Sequence, residues 1–186
     1  FSANTASVSG AAIDGVATVT HSTFSGHHTD VSAGVATITN GTILIGSIIA
    51  NNDSATPYDC GDSVFGFGLL SDDPYCFGAM GEATGVDPVL RDNGGLTMTH
   101  RLLAGSNAID NDPIVDEDMT SCQYMAAQFL LIDGDNLPLT DQRGVQRPYG
   151  VACDLGAYEY DGDIVIEPDY GLVVNGGFET DAAWTS

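Results

Sequence analysis

The sequence predicts an all-β protein: the end of a parallel β-helix, a solenoid of stacked coils, followed by an irregular disulfide-linked C-terminal cap. Three observations predict this fold: a 25-residue repeat near the N-terminus, many small residues, and four cysteines without metal-ligand spacing. Glycine accounts for 23 of the 186 residues, which favours strands joined by tight turns over helical bundles. Hydrophobic residues make up 43% of the chain, so a sizeable core is expected.

The repeat lies between residues 6 and 52 and appears when the sequence is shifted by 25 positions. The shift aligns Ile13 with Ile38, Val19 with Leu44, Phe24 with Ile49, Ser22 with Ser47, and Ser25 with Ala50. Each copy contains short runs that alternate with period two, which turns one face of each run inward. A single coil cannot bury its apolar face, whereas stacked coils can. We therefore interpret residues 1–52 as the last coils of the solenoid and residues 53–160 as its loop-rich cap.

The four cysteines are Cys60, Cys76, Cys122 and Cys153. No pair has the CxxC spacing of a zinc site, so two disulfides and an oxidising compartment are expected. Four cysteines allow three connectivities. We favour Cys60–Cys76 with Cys122–Cys153, because each of these links closes a loop-rich segment locally.

Acidic residues outnumber basic ones 26 to four, which gives a formal net charge of −22. This charge repels nucleic acid and anionic membrane surfaces, so neither is an expected partner. No apolar run approaches the roughly 18 residues of a membrane span, so membrane insertion is not expected either. The composition suits a secreted protein whose acidic surface is screened by salt or calcium.

Three ordered motifs follow the repeat. They are Leu90-Arg-Asp-Asn-Gly-Gly-Leu-Thr-Met-Thr-His100 with Leu102 to Asp110, then Thr140-Asp-Gln-Arg-Gly-Val-Gln-Arg-Pro148, and Cys153-Asp-Leu-Gly-Ala-Tyr-Glu159. Together they resemble the C-terminal module of bacterial choice-of-anchor Q surface proteins, which is similar to the end of right-handed β-helices in polymorphic outer-membrane proteins. The resemblance covers roughly residues 11–160. It implies a right-handed parallel β-helix, an extracellular address at a bacterial cell surface, and attachment to a larger anchored chain.

The motifs also predict how the cap is held. A tight turn at residues 92–95 is expected to bury Leu96, Met98, Leu102 and Leu103 at the end of the stack. Carboxylates near arginines in motif order predict a buried ion-pair network, for which the guanidinium group is well suited. The predicted network comprises Asp92, His100, Asp110, Asp141, Arg143 and Arg147.

A few histidines and two acidic runs are the candidate catalytic and metal-binding residues. His100 with Asp92, Asp110 or Ser106 lacks a nucleophile-elbow motif, so His100 is interpreted as structural and the chain as non-enzymatic. His21, His27 and His28 could form a metal cluster, but the adjacent His27 and His28 would point to opposite faces of a strand, so the three are interpreted as turn or surface residues. Asp133, Asp135 and Asp141 form a candidate calcium site, with an exposed acidic loop as the alternative. A second acidic run comprises Asp110, Asp112, Asp116, Glu117 and Asp118, and neither run follows the EF-hand pattern.

The last residues differ in character. Residues 161–170 read as an acidic linker, and residues 171–186 as the first strand of an incomplete β-sandwich. We expect the chain to be a piece of a longer precursor, and residues 171–178 to pair with a neighbouring copy or another surface protein by strand addition. The predicted function is a non-catalytic structural or adhesive component of a cell-surface or filament-forming protein, with glycans as further candidate partners. The alternative is the non-catalytic end of a secreted carbohydrate-active enzyme.

Overall fold

The computed structural model describes residues 1–7, 10–29, 37–54, 58–116, 119–124 and 139–162. The predicted calcium ligands Asp133 and Asp135, the strand at 171–186 and most of the linker at 161–170 lie outside these residues. Within them the chain is nearly all β, with a single helical turn at 121–124. None of the described residues forms a helix long and apolar enough to cross a membrane.

The described residues form thirteen short strands, numbered here in chain order. They are β1 (Thr5–Ala6), β2 (Ile13–Asp14), β3 (Thr18–Thr20), β4 (Thr23–Ser25), β5 (His28–Thr29), β6 (Ile38–Thr39), β7 (Ile43–Ile45), β8 (Ile48–Ala50), β9 (Asp53–Ser54), β10 (Phe65–Ser71), β11 (Phe77–Gly81), β12 (Ile114–Asp116) and β13 (Met119–Thr120).

The predicted repeat is confirmed by the register of the parallel strands. Strands β2, β3 and β4 pair with β6, β7 and β8, and every partner lies 25 residues further along the chain. Val19 faces Leu44 and Phe24 faces Ile49, as the aligned sequence requires. The Ser22 amide donates to the Ser47 hydroxyl at 3.2 Å, which extends the same register into the turn. The all-β, parallel, solenoid-like architecture predicted from the repeat is therefore present.

The stack continues past residue 52, so the predicted boundary between coils and cap is too early. Strand β10 pairs in parallel with both β7 and β8 at a spacing of 22 residues. Strand β11 then pairs in parallel with β10. The largest sheet has the order β3-β7-β10-β8-β4 and curls into a half-barrel. The boundary was missed because the third coil is shorter and breaks the 25-residue period.

Equivalent corners of successive coils stack on one another. His21, Gly46 and Gly68 separate the two strand directions of the curled sheet, and their φ angles are 43°, 58° and 61°. This left-handed conformation is open to Gly and costly for most other residues. A second stacked corner contains Ala3, Gly26 and Asn51, with φ angles of 55°, 69° and 59°.

The curled sheet has a core on each side of β4 and β8. The core inside the coils contains Phe24, Leu44, Ile49 and Leu69 with the Cys60–Cys76 disulfide. The second core lies on the outer side and joins Ile48 and Leu70 to residues of the following segment, among them Val86, Leu102, Ala108 and Leu155. All residues of β4 and β8 are consequently buried, as is usual for parallel strands covered on both faces.

The cap lies against the side of the sheet, which corrects the prediction that it closes the end of the stack. The Gly156 amide donates to the Gly46 carbonyl at 2.8 Å, and the Ala157 amide donates to the Thr23 hydroxyl at 3.0 Å. We call residues 82–162, as far as they are described, the lateral cap. Leu102 is buried as predicted, but Leu96 is fully exposed and Met98 is 56% exposed, because both lie at the tip of a hairpin.

Candidate functional site

The lateral cap begins with a hairpin formed by the first of the three motifs. Antiparallel bridges join Val86 to Leu102 and Arg91 to Thr99, and the turn at residues 92–98 connects them. Asp92 is exposed in this turn, where its carboxylate accepts the Gly94 amide at 3.1 Å. The structure therefore places Asp92 in a local turn and not in the ion-pair network.

His100 connects this hairpin to the N-terminal segment, whose Ser2 stacks on Ser25 of the first coil. Its Nδ1 lies 2.8 Å from the Asp87 carbonyl oxygen, and its Nε2 lies 2.9 Å from the Ser2 hydroxyl. The side chain is buried, and the hydrogen bond to Ser2 spans 98 residues of sequence. These two hydrogen bonds fix the orientation of the imidazole ring. They also connect the lateral cap to the segment that contains Ser2.

Asp110 binds backbone groups and no arginine. One carboxylate oxygen accepts the amides of Val151 and Ala152 at 2.7 and 2.9 Å. Its own amide donates to the Asp154 carboxylate at 2.7 Å, and its φ angle is 51°, a left-handed value that Asp tolerates better than most residues. Asp110 thus fixes the loop before Cys153.

Arg143 and Asp141 form one of two buried ion pairs in the lateral cap. Their side chains meet at 2.9 Å, and the Arg143 guanidinium also reaches Asp161 and the Glu159 carbonyl oxygen. The guanidinium carbon lies 3.5 Å from the centre of the Tyr158 ring, a cation–π contact. Asp141 also accepts the amides of Arg143, Val145 and Glu159. Because both oxygens of Asp141 are engaged in this way, the carboxylate organises its own loop.

Arg147 forms the second buried pair, with Glu159. The guanidinium lies 3.1 Å from the Glu159 carboxylate and donates to the carbonyls of Asp154 and Gly156 at 2.6 and 2.7 Å. Glu159 in turn accepts the amides of Tyr149 and Asp154 at 2.8 and 3.0 Å. Arg147 and Glu159 therefore bind together the last two motifs of the chain.

The buried position of these groups changes their acidity. Loss of hydration raises the pKa of the Glu159 carboxyl, although the two amides and Arg147 stabilise its charged form. Burial likewise raises the pKa of Asp154 and lowers the pKa of the Arg147 guanidinium, which neighbouring carboxylates partly offset. The lateral cap thus depends on a hydrogen-bonded charge network that is costly to break.

Both predicted disulfides are present with the favoured pairing. Cys60 is joined to Cys76 at a Cα–Cα distance of 5.1 Å, and Cys122 to Cys153 at 6.5 Å. The first joins the segment before β10 to the turn between β10 and β11, and the second joins the helical turn at 121–124 to the last motif of the lateral cap. Two disulfides are typical of proteins in oxidising compartments.

The described residues place one group of possible metal ligands together: His21, Asp112 and Cys122, with ligand atoms within 4.8 Å of one another. Cys122 is in a disulfide, so its sulfur is not available as a thiolate. Asp112 lies 3.5 Å from His21 and accepts the Ser121 hydroxyl and the Cys122 amide. Burial opposes its charge, but these three groups lower the pKa of its carboxyl. The cluster serves to fix the corner at His21 to the lateral cap.

Several residues of the network were missed from the sequence. Asp87, Asp112 and Glu159 form ion pairs, and Asp154 accepts backbone amides, as the predicted members do. Asp154 and Glu159 lie within the third motif, where they flank the run Leu-Gly-Ala-Tyr. Two acidic residues on either side of a largely apolar run could have indicated buried carboxylates that need partners. His21 and Asp112 gave no signal, because only the fold brings their positions together.

The chain matches no protein-family model, no curated protein and no solved structure. The class of protein is therefore set by the fold itself: an all-β, parallel, solenoid-like domain with two disulfides and a lateral cap.

Proposed function

We propose that this chain is the end of a right-handed parallel β-helix in an extracellular bacterial surface protein, where it has a structural and adhesive role without catalysis. The observation that carries the proposal is the combination of in-register coils, with the Cys60–Cys76 disulfide in their core, and a lateral cap pinned by the Cys122–Cys153 disulfide and two buried ion pairs. This arrangement favours durability outside the cell. The motifs that resemble choice-of-anchor Q proteins supply Arg143, Arg147 and Glu159, which agrees with a cap-forming role for those motifs.

The absence of catalysis is proposed because His100, the best candidate for a catalytic base, is held by hydrogen bonds that join the lateral cap to the N-terminal segment. Ser2, His100 and the Asp87 carbonyl resemble a nucleophile, a base and an orienting group. The Asp87 carboxylate, however, pairs with Arg91 and Arg101 and does not contact His100. We expect a fluorophosphonate probe to leave Ser2 unlabelled in the folded chain, as judged by intact-protein mass spectrometry; labelling that is lost in Ser2→Ala would contradict this.

Surface location is tested on intact cells of the organism that encodes the chain. Antibodies raised against residues 1–162 are expected to label unpermeabilised cells, and protease added outside is expected to remove the signal. A cytosolic protein carried through the same procedure is the control. Labelling only after permeabilisation would contradict the proposal.

Two other observations bear on the proposal. A structure with left-handed coils would contradict the assignment as a right-handed β-helix. Polysaccharide turnover by the full-length gene product would favour the alternative, the end of a carbohydrate-active enzyme.

A further inference from the structure

A groove lined by aromatic side chains lies beside the Cys60–Cys76 disulfide. Its cavity measures about 660 Å³, and its walls include Tyr58, Asp62, Val64, Tyr75 and Phe77. Tyr75 is 63% exposed and Phe77 is 69% exposed, so both rings present most of their surface to solvent. A cavity of this size lies in the range of small-molecule sites, roughly 300–1,000 Å³.

The aromatic rings are held in two edge-to-face pairs. The rings of Tyr58 and Tyr75 are 4.9 Å apart, and those of Phe65 and Phe77 are 5.4 Å apart. Phe77 belongs to the groove and to the second pair, so the two pairs form one continuous surface. We call this surface, made by Tyr58, Phe65, Tyr75 and Phe77, the aromatic platform.

Two crosslinks fix the aromatic platform. Tyr58 lies two residues before Cys60, and Tyr75 directly precedes Cys76, the two cysteines of the first disulfide. The buried Asp73 carboxylate accepts the amides of Asp59 and Tyr75 at 2.6 and 2.8 Å, which joins the same two segments a second time. Exposed rings on a rigid support lose little entropy when a ligand binds. The two crosslinks therefore hold the aromatic platform in place, although its rings are not part of the hydrophobic core.

The aromatic platform lies on the part of the curled sheet that the lateral cap leaves bare. Thr18, Ile43, Phe65 and Phe77 occupy one register position on β3, β7, β10 and β11. All four are exposed, whereas β4 and β8 are buried beneath the lateral cap. The side chain at this uncovered position thus changes from Thr on β3 to Ile on β7 and Phe on β10 and β11, and an exposed apolar patch of this kind marks a binding surface.

The charges around the groove restrict the chemistry of its ligand. The wall carries the exposed carboxylate of Asp62, and all four arginines of the chain lie at or beyond residue 91, in the lateral cap. An anionic ligand would meet a chain of net charge −22 without a cation on the groove wall. The cavity is much larger than a single ammonium group, which favours a neutral ligand with an extended apolar face.

We infer that the aromatic platform binds a neutral oligosaccharide. The aliphatic C–H face of a sugar ring stacks on Tyr75 and Phe77, whose rings carry negative charge on their faces. Sugar hydroxyls donate hydrogen bonds to the Asp62 carboxylate. This inference deepens the adhesive role proposed above and rests on it, because it names the class of molecule to which the surface protein would adhere.

The inference is tested with the whole 186-residue chain on a printed array of neutral and acidic glycans. Affinity electrophoresis in gels containing hydroxyethyl cellulose, galactomannan or dextran provides a second measurement. We expect binding to at least one class of neutral glycan, weakened about tenfold in Tyr75→Ala by the loss of one stacking ring. Asp62→Asn is expected to weaken binding less, because the amide keeps one acceptor oxygen. Tyr149→Ala, which removes an exposed ring on the lateral cap, is the matched control and is expected to bind like the original chain.

Three outcomes would overturn the inference: no neutral glycan bound on the array or in the gels, equal binding by Tyr75→Ala and Tyr149→Ala, or a groove that binds only cations. Titrations of the original chain and both variants with tetramethylammonium chloride and polylysine test the last outcome. A groove that binds cations would bind them in the original chain and in Tyr149→Ala but not in Tyr75→Ala. Urea unfolding midpoints of all variants show whether each is folded. Surface labelling of intact cells is measured separately, so positive labelling without glycan binding would remove this inference and leave the proposed function standing.

Discussion

Individual glycines at the stacked corners differ in the space that surrounds them. Gly26 and Gly68 both have left-handed φ angles, 69° and 61°. A Cβ atom added at Gly26 would have its nearest neighbour at 3.8 Å, whereas one added at Gly68 would lie 2.6 Å from Cδ of Pro113. The corner at Gly68 therefore requires Gly for two reasons, backbone conformation and close approach of the lateral cap.

Gly26→Ala and Gly68→Ala separate these two reasons. We expect Gly26→Ala to cost about 1–2 kcal/mol of unfolding free energy, the cost of a side chain in the left-handed region. Gly68→Ala is expected to cost about 1–3 kcal/mol more, because the rigid proline ring must move. Urea unfolding of both variants measures the difference, and equal costs would show that Pro113 does not restrict the corner.

His27 is a buried residue, which corrects its interpretation as a turn or surface histidine. Its side chain lies behind Phe24, and its Nδ1 accepts the Asn4 amide at 3.3 Å. Burial lowers the pKa of His27 to about 4. Sequence reasoning missed this because period two places one of two adjacent histidines inward without indicating which.

The neutral state of His27 predicts a pH dependence. The unfolded chain takes up a proton near the ordinary pKa of about 6.5, whereas the folded chain does so only near pH 4. The stability contributed by neutral His27 is therefore complete above pH 6.5 and is lost as the pH falls towards about 4. We expect His27→Leu to lose less unfolding free energy between pH 7.5 and 4.5 than the original chain, in urea titrations. His28→Leu is the neighbouring control, and a parallel loss in all three proteins would contradict the assignment.

At the scale of elements, the lateral cap is held by polar pairs more than by regular strands. Its bridges at Val86–Leu102, Arg91–Thr99 and Thr140–Gln146 are isolated, whereas Arg147 and Glu159 are almost completely buried and fully paired. Removing one member of such a pair leaves the other charge buried without a partner. The element is therefore most sensitive at these two residues.

Arg147→Met is expected to destabilise the chain by about 3–5 kcal/mol, because Glu159 is left buried and charged. The double variant Arg147→Met with Glu159→Leu is expected to recover part of this loss, since no buried charge remains. Arg91→Met removes a half-exposed partner of Asp87 and is expected to cost less than about 1 kcal/mol. Denaturant unfolding measures all three. A double variant no better than Arg147→Met would mean that packing, and not the charge, determines the loss.

The sequence predicted the coils better than the lateral cap, and the reason lies in how each is encoded. Phe24 and Ile49 share a register position because the pattern repeats at a fixed spacing, so their pairing is visible in the sequence. Ser2 and His100 meet through the path of the whole chain, and no local pattern links residues so far apart. The disulfide pairing was predictable because local closure is the simplest connectivity. The aromatic platform depends on β10 and β11, whose pairing the shortened third coil concealed.

At the scale of the whole molecule, the lateral cap joins coils that would otherwise contact only their neighbours. It reaches the N-terminal segment through Ser2, the first coil through Thr23, the second through Gly46 and the third through Leu70. Repeat proteins usually unfold as chains of nearest-neighbour units. Contacts that cross three coils are expected to make this domain more cooperative than an uncapped solenoid.

Hydrogen exchange measured by mass spectrometry tests this cooperativity. Replacing Cys122 and Cys153 with Ala is expected to lower unfolding free energy by about 3 kcal/mol and to reduce protection of β4 and β8 together. The matched variant replaces Cys60 and Cys76 with Ala and is expected to reduce protection mainly in β10 and β11. Loss of protection confined to the lateral cap in the first variant would show that the coils are stable without it.

The lateral position of the cap also limits how this solenoid can change in length during evolution. Gene duplication of one 25-residue unit between Thr23 and Gly46 would insert another strand, about 4.8 Å wide, into a span that the cap bridges with fixed hydrogen bonds. Gly156 already contacts Thr23 and Ile48 so closely that a Cβ atom there would lie 2.6 Å from the Thr23 hydroxyl. Duplications are therefore tolerated only outside the coils that the lateral cap bridges. The lateral cap, which does not itself repeat, thus sets the number of repeats that it covers.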